Sequence, residues 1–434
     1  MSFPTRATVA ALFMFTLVSA GRAQTPAGAS VQTSPEPAAQ PADQDPNVLG
    51  ESAAAGDAQA QFGVGDRYFR GVGVPQDYRQ ALLWFTKSAN QGYAPAENYL
   101  GYMYEHKFGV PRDYKRALAY FRSAAKQDYA LAEYNLGGVF EDKLGVKRDY
   151  KQALDWYRKA ADQNLSQAEK QVGYFYQCGY GVKQDFAQAH TWYLRAAGHG
   201  NSEAENQLGF MAEEGWGQPK NYDEALTWFQ KSAEHGSYDA MENIGYMFQT
   251  GLGVTIDYAK AMSLFVEAAA HGNGDAENQI GWMYQYGQGV REDDARALTW
   301  YGLAADQGNT QGQNNLEAFT SDLEESGTYQ NAAVGVSDPA LARAQNWAKI
   351  QDLQSRIAGL EGDAQDQDDL AYQLEHTGKG KNDAITKVFN AIGSVPATKY
   401  HIEAAKYRAE AAQLREELAQ IENQPQPTAS VPAP

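Results

Sequence analysis

Small and apolar residues recur along the middle of the chain at an interval of thirty-six positions. Gly73 returns as Gly109, Gly145, Gly181, Gly217, Gly253 and Gly289, and Ala81 and Ala89 each return six times in the same step. Seven registers without an insertion predict stacked supersecondary units, each burying its apolar face against the next. Within a unit the pattern splits into two helices. In "APAENYLGYMYEH" the residues Ala96, Leu100, Met103 and Tyr104 fall on one helical face. The Gly109 column then closes the turn, where a positive φ suits glycine alone. The second helix opens at Asp77, Asp113, Asp149, Asp185, Asn221, Asp257 or Asp293. An asparagine among six aspartates predicts helix caps, since both side chains accept from free N–H groups, whereas a catalytic carboxylate would not tolerate the swap. Further in, Ala81, Trp84, Phe85 and Ala89 recur as Ala153, Trp156, Tyr157 and Ala161, an aromatic stripe that reads as core. The expected fold is all-α: an α-solenoid, or superhelix, of seven helix-turn-helix repeats over 51–319.

The pattern breaks after "TQGQNNLEAF", where Glu317 takes the glycine position, and 320–339 reads as a linker. Over 340–423, Ile350, Leu353, Ile357, Leu360, Ala364, Ala371 and Leu374 keep 3–4 spacing, followed by Tyr400, Ala404, Tyr407, Ala411, Leu414, Leu418 and Ile421. Two such helices predict an antiparallel hairpin or a coiled coil. Residues 24–50 and the tail 424–434 hold almost nothing large and apolar, so both are expected to be disordered. In "MSFPTRATVAALFMFTLVSAGRAQ", Arg6 precedes an apolar run from Ala7 to Ala20 and then small-residue cleavage sites. This predicts a secretory signal over 1–23, cut near Gly21 or Gln24, with a run too short to remain a membrane span. The expected location is periplasmic or secreted, with no stable membrane insertion after cleavage.

Composition narrows the partners. The 434 residues are 43% hydrophobic, ample for a core, and carry a formal charge of -18. That acidic excess repels nucleic acid and anionic lipid. One cysteine, Cys178, cannot form an internal disulfide, and reads as a small core residue or an intermolecular bridge. His199, His235 and His271 also stand thirty-six apart, each before a glycine, where a basic residue suits the end of a helix. Neighbouring helices stand roughly 10 Å apart, too far for these to share an ion, so no metal is expected. No G-x-S-x-G, H-E-x-x-H or Cys-x-x-Cys is found, and "TGKGKN" lacks the spacing of a phosphate loop. No catalytic residue and no cofactor is expected.

The stretches "AENYLGYMYEHKFGVPRDYKRALAYFRSAAKQ" and "AENQIGWMYQYGQGVREDDARALTWYGLAADQG" resemble the Sel1-like repeat, a relative of the tetratricopeptide repeat. The resemblance covers roughly Glu51 to Phe319. It implies adaptors and scaffolds for protein complexes, including envelope and exopolysaccharide assembly. Some secreted members carry a disulfide in each repeat and are linked to penicillin binding. With Cys178 alone, this chain does not inherit that architecture.

By the tetratricopeptide analogy the first helices line the concave side. The residue after each first-helix glycine is Asp66, Tyr102, Gly138, Tyr174, Phe210, Tyr246 or Trp282, aromatic in five of seven. Three before the glycine stand Asn98, Tyr134, Lys170, Asn206, Glu242 and Asn278; one turn later come Glu105, Glu141, Gln177, Glu213, Gln249 and Gln285. Such aromatics either pack on the adjoining repeat or, beside amides, bind an extended peptide or a carbohydrate. The expected function is a non-catalytic protein-interaction scaffold of the cell envelope. Its partner would sit in the concave groove on Tyr102, Tyr174, Phe210, Tyr246, Trp282, Asn98, Asn206 and Asn278. A module binding peptidoglycan or exopolysaccharide is the alternative.

Overall fold

A computed structural model describes residues 46–142, 144–325, 339–376 and 397–422. The expected signal over 1–23, the linker up to residue 45, the "TGKGKN" segment and the tail 424–434 lie outside the described residues. Among the described residues the regular elements are all helices. A helix Pro46–Ala54 (α1) precedes the repeats. The repeats are Ala58–Arg70 and Tyr78–Ala89 (α2, α3), Ala94–His106 and Tyr114–Ala125 (α4, α5), Ala130–Glu141 and Tyr150–Asp162 (α6, α7), and Ser166–Cys178 and Phe186–Gly198 (α8, α9). They continue as Ser202–Glu214 and Tyr222–Glu234 (α10, α11), Tyr238–Thr250 and Tyr258–Ala269 (α12, α13), and Gly274–Tyr286 and Asp294–Asp306 (α14, α15). Thr310–Glu325 (α16), Pro339–His376 (α17) and Ala397–Glu422 (α18) follow. This is the α-solenoid that the thirty-six-residue interval predicts.

The turn chemistry follows the sequence. Asp149 Oδ1 accepts from the backbone N–H groups of Lys151 at 3.1 Å and Gln152 at 3.0 Å, and Asn221 Oδ1 does the same for Glu224 at 3.2 Å. Gly145 has φ +72, and a Cβ there would also stand 2.7 Å from the Cβ of Tyr114. Asp149→Ala is therefore expected to lower the unfolding midpoint through loss of a cap, and Gly145→Val to lower it further. Chemical denaturation checks the order; a neutral Gly145→Val contradicts it.

Two expectations about boundaries need correction. The helix α1 begins inside the stretch 24–50 expected to be disordered, because Leu49 and Ala53 bury against Ala60, with Val64 and Trp84 alongside. The helix α16 runs to Glu325, inside the expected linker 320–339, because Phe319 and Leu323 are buried.

Core packing inside a repeat is ring against glycine. The second-helix aromatics Phe85, Phe121, Tyr193, Phe229, Phe265 and Tyr301 are wholly buried, each facing the glycine of its own first helix. At Gly209 a Cβ would stand 2.4 Å from Cε1 of Phe229. The tryptophans one residue earlier differ from the expectation of core. Trp84 and Trp156 are only half-buried, and a lysine three residues on covers each ring, with Nζ 3.9 Å from the centroid in both cases. A cation over an indole face keeps that large ring acceptable at a surface.

The described residues fall into two compact units, 46–199 with 353–418 and 200–352 with 419–422. In the first unit, Leu353, Ile357 and Ala364 of α17 and Ala404, Ala411 and Leu414 of α18 are buried. An ion pair between Arg415 and Glu361 joins the two helices. Burial first, then the charge of Glu361, raises the Tyr78 hydroxyl above its ordinary value, with Arg415 opposing. Both C-terminal helices therefore lie close to the first repeat within that unit. In the second unit, the core that holds Tyr301, Phe319 and Leu323 also takes in Ala344 of α17.

Candidate functional site

Each first helix projects a stripe of side chains spaced three or four residues apart, and the residues after the glycines lie on it. In the first unit, Tyr102 is 8% exposed, packed against Phe108 with centroids 5.7 Å apart. Burial, and after it the charges of Glu105 and Tyr78, push its hydroxyl up to about 12. Tyr174 is half-buried, meets Tyr180 edge-on at 5.8 Å, and shares a hydrogen bond with Cys178. Burial pushes the Cys178 thiol up, so this cysteine is a poor nucleophile. In the second unit, Phe210 is half-buried and T-shaped to Phe229 at 5.3 Å. Tyr246 is 8% exposed and belongs to the core cluster. Trp282 is half-buried beside Tyr286 at 4.4 Å, and its indole N–H has no hydrogen-bond partner among the described residues.

The asparagines differ from the expectation that they face a partner. Asn98 is wholly buried, and Asn206 and Asn278 nearly so. Their Oδ1 atoms accept from the Nδ2 of the asparagine thirty-seven residues on: Asn135 at 2.9 Å, Asn243 at 3.0 Å and Asn315 at 2.7 Å. These amide pairs tie one first helix to the next. A buried carbonyl needs such a donor, and here the neighbouring repeat supplies it.

The position one turn later is governed by its second helix. Where that helix holds tyrosine, the hydroxyl donates back: Tyr157 to Glu141 at 2.6 Å, Tyr193 to Gln177 at 2.7 Å, Tyr301 to Gln285 at 2.7 Å. Where it holds phenylalanine, no such donor exists. Opposite Phe121, the Glu105 carboxyl is pushed up to about 7 by burial and then by Asp142, with Arg112 opposing. Opposite Phe265, the Oε1 of Gln249 has no partner among the described residues.

Sequence reading missed a second network. Glu97, Glu133, Glu169, Glu205 and Glu277 form a buried column, and the first four are each answered within their own repeat from thirty residues on. Gln127 donates to Glu97 at 2.9 Å and Gln163 to Glu133 at 2.7 Å. His199 Nδ1 stands 2.8 Å from Glu169, and His235 Nδ1 stands 2.6 Å from Glu205. Arg195 Nε adds an ion pair to Glu169 at 2.6 Å, and Lys231 lies 3.8 Å from Glu205. These histidines, read as helix-end residues, are partners of buried carboxylates. Met241 replaces the glutamate in the sixth repeat, and there His271 stacks on Tyr238 at 3.9 Å instead. The seventh repeat breaks the rule: Leu303 stands where Arg195 and Lys231 supply a cation, and Gln307, of the type that answers Glu97 and Glu133, makes no bond to Glu277. Glu277 is wholly buried, neither carboxylate oxygen has a partner, and burial followed by the charge of Asp306 pushes it up to about 8. A covarying pair of columns at +30 was the available signal.

Among the described residues no group of three or more His, Cys, Asp or Glu side chains could hold a metal ion, and no helix is long and apolar enough to cross a membrane.

The Sel1 repeat family model matches residues 58–93, 94–129, 130–165, 166–201, 202–237, 239–273 and 274–309. The chain belongs to the Sel1 repeat family. Its fold is similar to that of a protective antigen present in uropathogenic Escherichia coli strains, which displays an SLR fold. That likeness has 26% identity and a TM-score of 0.55, covering 89% of this chain and 99% of that one. It is also similar to a Sel1 repeat protein from Oxalobacter formigenes, at 33% identity and a TM-score of 0.51, covering 63% of this chain and 79% of that one. No curated protein matches it significantly. Sel1 repeat proteins are in general protein-interaction scaffolds, and the fold typically serves binding rather than catalysis.

Proposed function

We propose that this chain is a non-catalytic scaffold of the cell envelope, periplasmic or secreted, that holds a protein partner on the first-helix face of its repeats. Trp282 is the observation that carries the reading. It is half open at a position where the fold itself needs no ring, since Asp66 and Gly138 hold the same place in other repeats. Its indole N–H is itself buried, so the open part of the side chain is apolar ring surface. Half-open aromatic surface of this kind suits the side chains of a protein partner laid across it. Phe210 extends the same surface in the second unit; Tyr174 offers its counterpart in the first. Tyr102, Tyr246 and the buried asparagines support this face from beneath.

The test is a photo-crosslinker placed at 210 and at 282 in cells, with exposed Leu194 as the control position. The same partner is expected from both test positions and not from the control. An interface aromatic contributes about 2 kcal/mol or more, so Phe210→Ala/Trp282→Ala should weaken affinity for that partner by roughly a thousandfold. The melting temperature should stay within a few degrees. Unchanged affinity, or loss only through unfolding, removes the proposal; co-sedimentation of the wild type with peptidoglycan, abolished by the same pair, replaces the protein partner with a glycan.

A further inference from the structure

The chain is acidic as a whole, with 54 Asp and Glu against 36 Lys and Arg. The second helices of the first unit reverse that balance. Leaving aside the cap that precedes every second helix, α3, α5, α7 and α9 together hold nine Lys or Arg and two acidic residues, Asp155 and Asp162. In the second unit, α11, α13 and α15 hold three Lys or Arg and six acidic residues. The basic helices carry their charge in the open: Lys87, Lys115, Arg122, Lys151 and Lys159 are all exposed. Two of these cations are also held in place, Lys87 over the ring of Trp84 and Lys159 over that of Trp156. A ring fixes a cation without neutralising it, and neither lysine forms an ion pair among the described residues. Cations already ordered lose little entropy when an anion arrives. The charges of opposite sign are equally open, with Asp223, Glu234, Glu267 and Asp306 exposed.

We propose that the basic second-helix face of the first unit docks on the acidic second-helix face of the second unit in another copy of this chain. Repeats of one length present their helices at one spacing, so two such faces bring opposite charges together row after row. A long free polyanion fits less well, because beyond the basic face it meets a chain of formal charge -18. The same net charge sets whole copies against each other. At physiological ionic strength, however, charges further apart than about 8 Å are screened, and the pairs in contact decide. Single exposed pairs contribute little, so the association is weak, and complementary sign selects the partner. The contact uses second helices alone and does not rest on the first-helix face proposed above.

The experiment follows the full chain by sedimentation over a range of concentrations at physiological salt, where the wild type should self-associate. Lys115→Glu/Lys151→Glu puts acids in the first turns of α5 and α7, and Glu234→Lys/Glu267→Lys puts bases in the last turns of α11 and α13. Each change suits the end of its helix, so both variants should keep the wild-type melting temperature. Each alone should self-associate at least tenfold more weakly. Mixed together, they should associate with one another as strongly as the wild type does, since one mixed contact carries both swaps and the other carries neither. A monomeric wild type overturns the proposal, and so do variants that associate unchanged or a mixture that regains nothing. Should a variant unfold, the wild type decides. A zero-length carboxyl-to-amine crosslinker, applied to mixed isotopically labelled and unlabelled chains, must then join α3, α5 or α7 of one copy to α11, α13 or α15 of another. Crosslinks between copies that are confined to other segments overturn the proposal. Polyglutamate that binds a monomeric wild type, and is lost in Lys115→Glu/Lys151→Glu, gives the face to a foreign acidic segment instead.

Discussion

Glu277→Gln is expected to stabilise the seventh repeat by a few kcal/mol at pH 8 and to change nothing below about pH 4. The carboxyl is pushed up to about 8 from an ordinary value of 4.5. Below the lower value it is protonated in both folded and unfolded chains and contributes no pH dependence. Between the two, the unfolded chain ionises while the folded one keeps its proton, so stability falls as pH rises. Above about 8 the loss is complete. Each pKa unit corresponds to about 1.4 kcal/mol, which bounds the whole effect at roughly 5 kcal/mol. Glutamine keeps the shape and cannot ionise, so the slope disappears. Because repeat arrays open locally, the quantity to measure is the opening free energy over residues 274–306, by amide exchange between pH 5 and 9. Equal slopes for wild type and variant would refute the reading. Leu303→Lys/Gln307→His rebuilds the arrangement around Glu205 and should flatten the slope by the opposite route, neutralising the charge instead of removing it.

Gly209→Val is expected to destabilise its repeat by about 3 kcal/mol or more. Two effects compete here. Any side chain improves the helix over glycine, by up to about 1 kcal/mol for alanine. Against that, a Cβ at 209 would stand 2.4 Å from Cε1 and 2.5 Å from Cδ1 of Phe229. Phe229 is wholly buried and cannot swing away, so the backbones must part, at the upper end of what overpacking costs. Gly302, mid-helix in α15 with nothing within 4 Å of its Cβ direction, supplies the contrast. There alanine should gain about 0.5–1 kcal/mol. Urea denaturation of both variants tests the sign, and Phe229→Leu should rescue part of the loss at 209. A neutral Gly209→Val would mean that the ring-on-glycine contact is loose.

Much of this fold is legible in the sequence because its determinants are local and periodic. The Asp149 cap, the Gly145 turn and the Ala153 packing position each act within one helix or one turn, so identical columns report them directly. The two buried networks act across distance. Glu169 meets His199 only after the chain has run up one helix and down the next. Nothing in either residue alone separates a buried pair from two surface groups. The amide ties from Asn98, Asn206 and Asn278 are hidden for a related reason. They sit on the face that a solenoid leaves open, and periodicity says nothing of how deeply neighbouring first helices nest. The burial of Gln249 is hidden in the same way, since its amide donates to Gln288 of the next repeat. At Trp282 and Phe210 the sequence reading and the half-open geometry agree on position, and binding itself is for the crosslinks to decide.

The two networks differ in what they ask of a growing chain. The pairs Glu169–His199 and Glu205–His235 each begin and end inside a single thirty-six-residue block. Such a block copied in tandem brings its own neutraliser, and the new copy strands no charge wherever it lands. The amide ties cross block boundaries, Asn206 of the fifth reaching Asn243 of the sixth. A copy inserted at that junction must offer an asparagine at both matching places, or the old neighbours lose their bond. Lengthening by duplication is therefore tolerated by the ionic network and censored by the amide one, and the permitted insertion points are those where no asparagine reaches across.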